Sequence, residues 1–151
     1  PTNTGIFASG RLNPGFSKKV DAIMLNAFVK VGGMEAFGTY ETAKGRTKNE
    51  VADRKASQVA GDLIYRLGKD ETTYVGMRYN VATARLASSA TIIHNNDIKV
   101  DRLAFAGGWF VTRNVLLKGE YVIQKYKDFP TNDFRNGGKF NGYVIEAVVG
   151  F

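Results

Sequence analysis

The stretch Asp101-Arg-Leu-Ala-Phe-Ala-Gly-Gly-Trp-Phe-Val-Thr112, Arg113-Asn114, Val115-Leu-Leu-Lys-Gly-Glu-Tyr-Val-Ile-Gln-Lys-Tyr126 decides the fold. In its first limb every second residue is apolar or glycine: Leu103, Phe105, Gly107, Trp109, Val111. The second limb repeats the pattern, with Leu117, Gly119, Tyr121 and Ile123 alternating against Lys118, Glu120 and Gln124. A period of two belongs to a β-strand with unlike faces. Two such runs separated by two turn-forming residues read as a hairpin.

The alternation extends in both directions. It runs through Ile23, Leu25, Ala27 and Val29, then Met34, Ala36, Gly38 and Tyr40. It resumes at Val59, Gly61, Leu63, Tyr65 and Leu67, and again at Val75, Met77, Tyr79 and Val81. The last run is Tyr143, Ile145, Ala147, Val149 and Phe151. Seven strands are predicted, near 21–31, 34–42, 58–68, 72–81, 101–112, 115–126 and 140–151. Tight turns at Val31-Gly32-Gly33, Lys69-Asp70-Glu71 and Arg113-Asn114 alternate with long loops near 43–57, 82–99 and 127–139, after a leading segment 1–19. All tight turns therefore fall at one end of the sheet and all long loops at the other. That asymmetry is the habit of an all-β, antiparallel up-and-down transmembrane β-barrel, and 151 residues suffice for one such domain.

Within the strands, charge collects on the opposite phase. Lys30, Glu35, Asp62, Arg66 and Arg78 belong to it, as do Arg102, Lys118, Glu120 and Glu146. These are the candidate pore-lining residues; with Glu41 added, five cations meet five anions, the composition of cross-strand pairs bracing a wall. Aromatics on the apolar phase fall in two groups: Tyr40, Tyr79 and Tyr143 toward the long loops, Tyr65, Trp109 and Phe151 toward the turns. Such girdles place amphipathic rings at both lipid–water interfaces.

Composition narrows the chemistry. There is no cysteine and one histidine, His94, so neither a thiolate nor a multi-histidine metal site is expected. Asn95, Asn96, Asp97 and Asp101 lack the EF-hand order. Ser88 and Ser89 near His94 sit in a long loop without an orienting acid, so no catalytic residue, cofactor or enzyme activity is assigned. The net charge of +7 lies in the connecting segments, apart from the strand aromatics, which argues against nucleic-acid binding. Basic loops, with Arg46, Lys48, Arg54 and Lys55, are expected to attract lipopolysaccharide phosphates and funnel anionic solutes.

The final run, Tyr143-Val-Ile-Glu-Ala-Val-Val-Gly-Phe151, resembles the C-terminal signature of bacterial outer-membrane β-barrel proteins. The wider stretch Leu116–Tyr126 with Asn136–Gly142 is similar to the closing hairpin of general and phosphate-selective-type porins. This resemblance implies location in the bacterial outer membrane, contact with its lipid and lipopolysaccharide, and recognition of Phe151 by the barrel-assembly machinery. It also implies a homotrimer and passive diffusion of small hydrophilic solutes, without a cofactor. The balanced lumenal charge departs from a phosphate-selective channel, which needs surplus fixed cations. Seven strands do not close a conventional barrel. Residues 4–9 could add a short eighth strand, giving a small closed barrel with an adhesion or structural role. The porin-like hairpin instead favours the C-terminal part of a larger barrel. A third reading, a soluble β-barrel around an apolar ligand, requires Leu63, Phe105 and Ile145 to meet in a sealed interior.

Overall fold

A computed structural model describes residues 12–89 and 92–150. It contains seven strands: β1 (Lys19–Val31), β2 (Met34–Arg46), β3 (Arg54–Leu67), β4 (Thr73–Ala84), β5 (Ile98–Thr112), β6 (Val115–Lys127) and β7 (Lys139–Val149). They form one sheet in chain order, each strand antiparallel to the next. Among the described residues the sheet is open, with β1 and β7 as its edges. The predicted residues 4–9 strand and the Phe151 girdle position lie outside the described residues.

The tight turns follow from their residues. Gly32 has φ +55° between the facing residues Val31 and Met34, a conformation that a side chain at that position would resist. At the β5–β6 turn the ladder slips between Phe110 and Thr112, a bulge that leaves Val111 without a facing residue. The β3–β4 connection is longer than the three residues expected, running from Gly68 to Thr72 with positive φ at Gly68 and Glu71.

The strands outrun their expected limits at the loop end. β2 continues to Arg46, β3 begins at Arg54, β4 reaches Ala84 and β5 begins at Ile98. The connections therefore shrink from 43–57, 82–99 and 127–139 to 47–53, 85–97 and 128–138. Much of the extra ladder is built from small and polar residues, such as Ala43 facing Ala56 and Ser57 facing Thr83, although Ile98 and Val100 also belong to it.

The two faces are unlike. Leu63, Phe105 and Ile145 lie on the apolar face and are 42%, 47% and 88% exposed, so they form no sealed interior. Packing occurs on the other face, toward the loop end. There Ile98, Val100 and Tyr126 meet Phe129 from the 128–138 loop, with Leu12 and Leu86 against them. Among the described residues the loops pack Leu12, Leu86 and Phe129 onto the ionic face, while the apolar middle of the other face stays exposed.

Candidate functional site

The candidate site is the ionic face, which is concave: its charged side chains crowd together while those of the apolar face splay into the open. Strand register explains who meets whom. Lys30 directly faces Glu35, Asp62 faces Arg78 and Lys118 faces Glu146. In an antiparallel pair facing residues lie closest, so each pair is within reach of an ion contact.

Those contacts form. Arg78 grips Asp62 with two bonds, Nε to Oδ1 at 2.5 Å and Nη2 to Oδ2 at 2.9 Å, the paired geometry a guanidinium makes with a carboxylate. Glu35 accepts from Lys30 Nζ at 3.1 Å and from Arg66 Nε at 2.8 Å, and Glu71 in the β3–β4 turn adds a carboxylate 3.4 Å from Lys30. On the far side of the sheet Lys118 Nζ reaches Glu146 at 2.9 Å, and Arg102 Nη2 donates to Glu120 at 3.1 Å. All nine pore-lining candidates thus stand on one face, and each has an opposite charge beside it. Glu41, the tenth charge of this phase, has no ion pair among the described residues; it lies beside Leu12, Pro14 and Gln58 near the loop end.

Between the ionic groups is a depression of about 380 Å³, lined by Asp62, Ile64, Tyr74, Arg78, Arg102 and Glu120 among others. It exists because Gly76, Ala104 and Ala106 take the intervening positions and leave the sheet surface low. Tyr74 lies flat over Gly108, its facing residue, where a Cβ would come within 2.2 Å of the ring. Tyr74 and Asn80, which also line this floor, share the phase of Arg78 on β4, so the alternation places them on this face although neither carries a charge. The register that sets Tyr74 opposite a glycine is what gives its ring room.

Above the depression the loop end is closed down by a second set of contacts. Arg54, 8% exposed, donates Nε and Nη2 to Glu50 at 2.6 and 3.0 Å and Nη1 to the carbonyls of Pro14 and Arg85 at 2.9 and 2.7 Å. Its guanidinium also covers the Phe16 ring at 5.1 Å. Arg54 is therefore a clamp joining three segments, which corrects its assignment to a solvent-facing funnel; burial consumed its charge locally. That guanidinium, helped by the Thr47 N–H, holds the Glu50 carboxyl down at about 2. Asp133 is similarly lowered by Arg135, whose guanidinium binds both its oxygens. His94 is buried beside this group and its pKa is lowered by desolvation. Ser88 contacts His94 through the backbone, the His94 N–H donating to Ser88 Oγ at 2.9 Å, so the two side chains form no nucleophile–base pair. Asp97 binds Arg85 and Asp101 binds Lys127, and among the described residues no group of three metal-binding side chains converges.

The convex face carries Tyr40, Tyr65, Tyr79, Trp109 and Tyr143, all exposed. Following the register from Tyr40 leads across Val59, Val81, Asp101 and Lys125 to Lys139. Tyr143 is four residues turnward of Lys139, five strands away from Tyr40, and Tyr79 falls in between. A line through the three tyrosines is thus oblique to the rows of the sheet. At about 3.3 Å per residue and about 4.8 Å per strand, strands crossing that line's plane tilt by about 30° from its normal. Trp109 is likewise displaced turnward from the row of Tyr65, in the same sense.

No family model matches the chain, and no curated protein and no solved structure matches it.

Proposed function

We propose that this sheet is the wall of a porin-like β-barrel in the bacterial outer membrane, passing small hydrophilic solutes by passive diffusion. The observation that carries the reading is the continuous apolar middle of the convex face, exposed among the described residues, backed by a concave face on which each of the nine candidate pore-lining charges has a counter-charge. Water would leave such an apolar face unsatisfied over several strands, far beyond the patch that a monomeric soluble protein exposes. Lipid satisfies it. The oblique aromatic lines support the same orientation, since membrane barrels tilt their strands against the interfaces that their aromatics mark.

In hydrocarbon the free backbone groups of β1 and β7 would each cost several kcal/mol, so closure requires both edges to pair with further strands. The wall acts by geometry. Its paired charges keep water and polar solutes at the surface without a ladder of unpaired cations, so transport is expected to discriminate by size more than by charge. Single-channel recording of the purified full-length protein in planar bilayers tests this. Discrete conductance steps are expected; silence at protein densities where insertion is demonstrated would reject the channel.

A further inference from the structure

The convex face has a second pattern at its loop end. Beyond the aromatic line the outward alternation passes from apolar residues to cations, and the register sets them against one another. Lys19 faces Arg46, Lys44 faces Lys55, Lys99 faces Lys127, and Lys125 faces Lys139. Like charges directly opposite on an antiparallel ladder repel, so four such pairs on one edge of one face call for an anionic partner.

Carboxylates answer part of that demand. Asp21 lies 2.9 Å from Lys19 and Asp53 3.6 Å from Arg46, while Asp101 serves both Lys99 and Lys127. Lys44 with Lys55, and Lys125 with Lys139, have no ion pair among the described residues, and all four are exposed; Asp21 faces Lys44 and Asp101 faces Lys125, but each of these carboxylates is engaged by other cations, Asp21 by Lys19 and Asp101 by Lys99 and Lys127. Lys44 and Lys55 flank a depression of about 730 Å³ that also contains Asp21, Ile23 and Asp53. The turn end of the same face offers no counterpart: its outward strand positions are Val31, Met34, Leu67, Trp109 and Leu117.

Height is the second argument. Lys44 is four residues loopward of Tyr40, and Lys139 is four residues loopward of Tyr143. The lysine pairs therefore keep the same oblique line as the tyrosines, one band farther from the apolar middle. Where aromatic rings mark the headgroup boundary, that band is the level of lipid phosphates, and lysine stems can lie along the apolar surface with their ammonium groups extended toward it. Two ammonium groups on facing residues converge on one dianionic group, and lysine binds phosphate as a point charge without demanding a fixed fork.

We propose that the loop-end belt of the convex face, centred on Lys44–Lys55 and Lys125–Lys139, binds the phosphate groups of anionic lipid headgroups. This rests on the reading of the convex face as lipid-facing. It assigns the belt to one leaflet, the one on the side of the long loops.

The test compares the full chain with a variant carrying Lys44→Gln, Lys55→Gln, Lys125→Gln and Lys139→Gln, none of which touches the concave ionic wall. Each is floated with vesicles of phosphatidylcholine alone and of phosphatidylcholine containing a minority of phosphatidic acid. The unaltered chain is expected to prefer the phosphatidic acid vesicles by about tenfold or more at low salt, the preference shrinking as salt rises. The variant should still float with phosphatidylcholine but lose the preference. If both proteins float equally with both vesicles, the belt is no lipid-phosphate site, although the face still enters lipid. If neither floats with any vesicle, the lipid-facing reading itself is wrong and the belt falls with it.

Discussion

The two faces of the sheet are made by the same strands, one residue out of phase, and they are stabilised in opposite ways. The concave face is satisfied within the chain: Asp62 has Arg78, Glu35 has Arg66, Lys118 has Glu146, and loops pack Phe129 and Leu86 over Ile98. Among the described residues the apolar part of the convex face is exposed, from Ile23 on β1 to Ile145 on β7. On the proposed reading the partner of this face is external, and the order of its residues fits lipid. Aliphatic side chains in the middle, aromatic rings toward the ends and lysines beyond one end match the layers of a lipid leaflet.

The largest expected effect breaks the concave side. Arg54→Met leaves Glu50 without its guanidinium and strips the Pro14 and Arg85 carbonyls of a donor, a loss of about 3–5 kcal/mol for a buried pair cut on one side. Arg78→Met, on the same face but with a half-exposed guanidinium, should cost about 1 kcal/mol or less. Urea unfolding of the detergent-folded protein reads both. Equal losses would mean that the loop-end clamp contributes no more than the open wall.

Next comes a pair of neighbours that separates the faces. Leu63→Arg places a charge on the middle of the convex face and should cost about 2–4 kcal/mol of stability in a bilayer. Ile64→Arg, one residue on, enters the concave depression among Asp62 and Glu120 and should cost clearly less. In a sheet exposed to water, Leu63→Arg would change stability by only about 0.5 kcal/mol either way. Folding yield into phosphatidylcholine vesicles distinguishes the outcomes.

This pair also marks what was legible in the sequence. Wherever outward residues are apolar, as from Val59 to Leu67, the period of two specifies strand, phase and face together. It fails where outward residues turn into lysines. Lys44 and Arg46 read as loop, and so do Lys55 and Ser57, yet the ladder runs unbroken from Gly45 facing Arg54. The strand persists there because its backbone partners are in place and its inward residues, Ala43 and Ala56, are small enough to admit Leu12 and Pro14. Similarly, the concave charges were identifiable by phase, and their partners by register. The clamp was not, because it depends on where the loops return. Glu50, four residues before Arg54, was the one local hint, and it carries no alternation.

Acid should loosen the concave side before the convex one. His94 is buried and its folded pKa lies below the ordinary 6.5, so the unfolded chain takes up the proton first. The stability that neutral His94 contributes is complete above about pH 6.5 and declines as pH falls below it. Glu50, held at about 2 against an ordinary 4.5, contributes stability that is complete above 4.5 and is lost toward 2. Asp133, lowered by Arg135, loses its contribution in the same direction below its ordinary 3.8. Proteolysis within 85–97 and 47–53 should therefore accelerate in two stages on acidification, and His94→Gln should abolish the first while sparing the second.

The smallest effect tests whether the wall's charges are paired for neutrality or merely for strength. Asp62→Asn keeps the size of the side chain and a hydrogen-bonding oxygen for Arg78 but leaves a full positive charge at the depression floor. Stability should change by less than about 1 kcal/mol, because the pair is partly exposed. Ion preference should move further than stability does: one unpaired guanidinium in a narrow, water-lined wall attracts anions and repels cations. The reversal potential in a salt gradient should shift toward anions, more at low salt than at high salt as screening sets in. Glu41→Gln, which removes a carboxylate without freeing a paired cation, should shift it less. If the two substitutions shift it equally, it is net lumenal charge that governs selection, and the pairing of Asp62 with Arg78 is only structural.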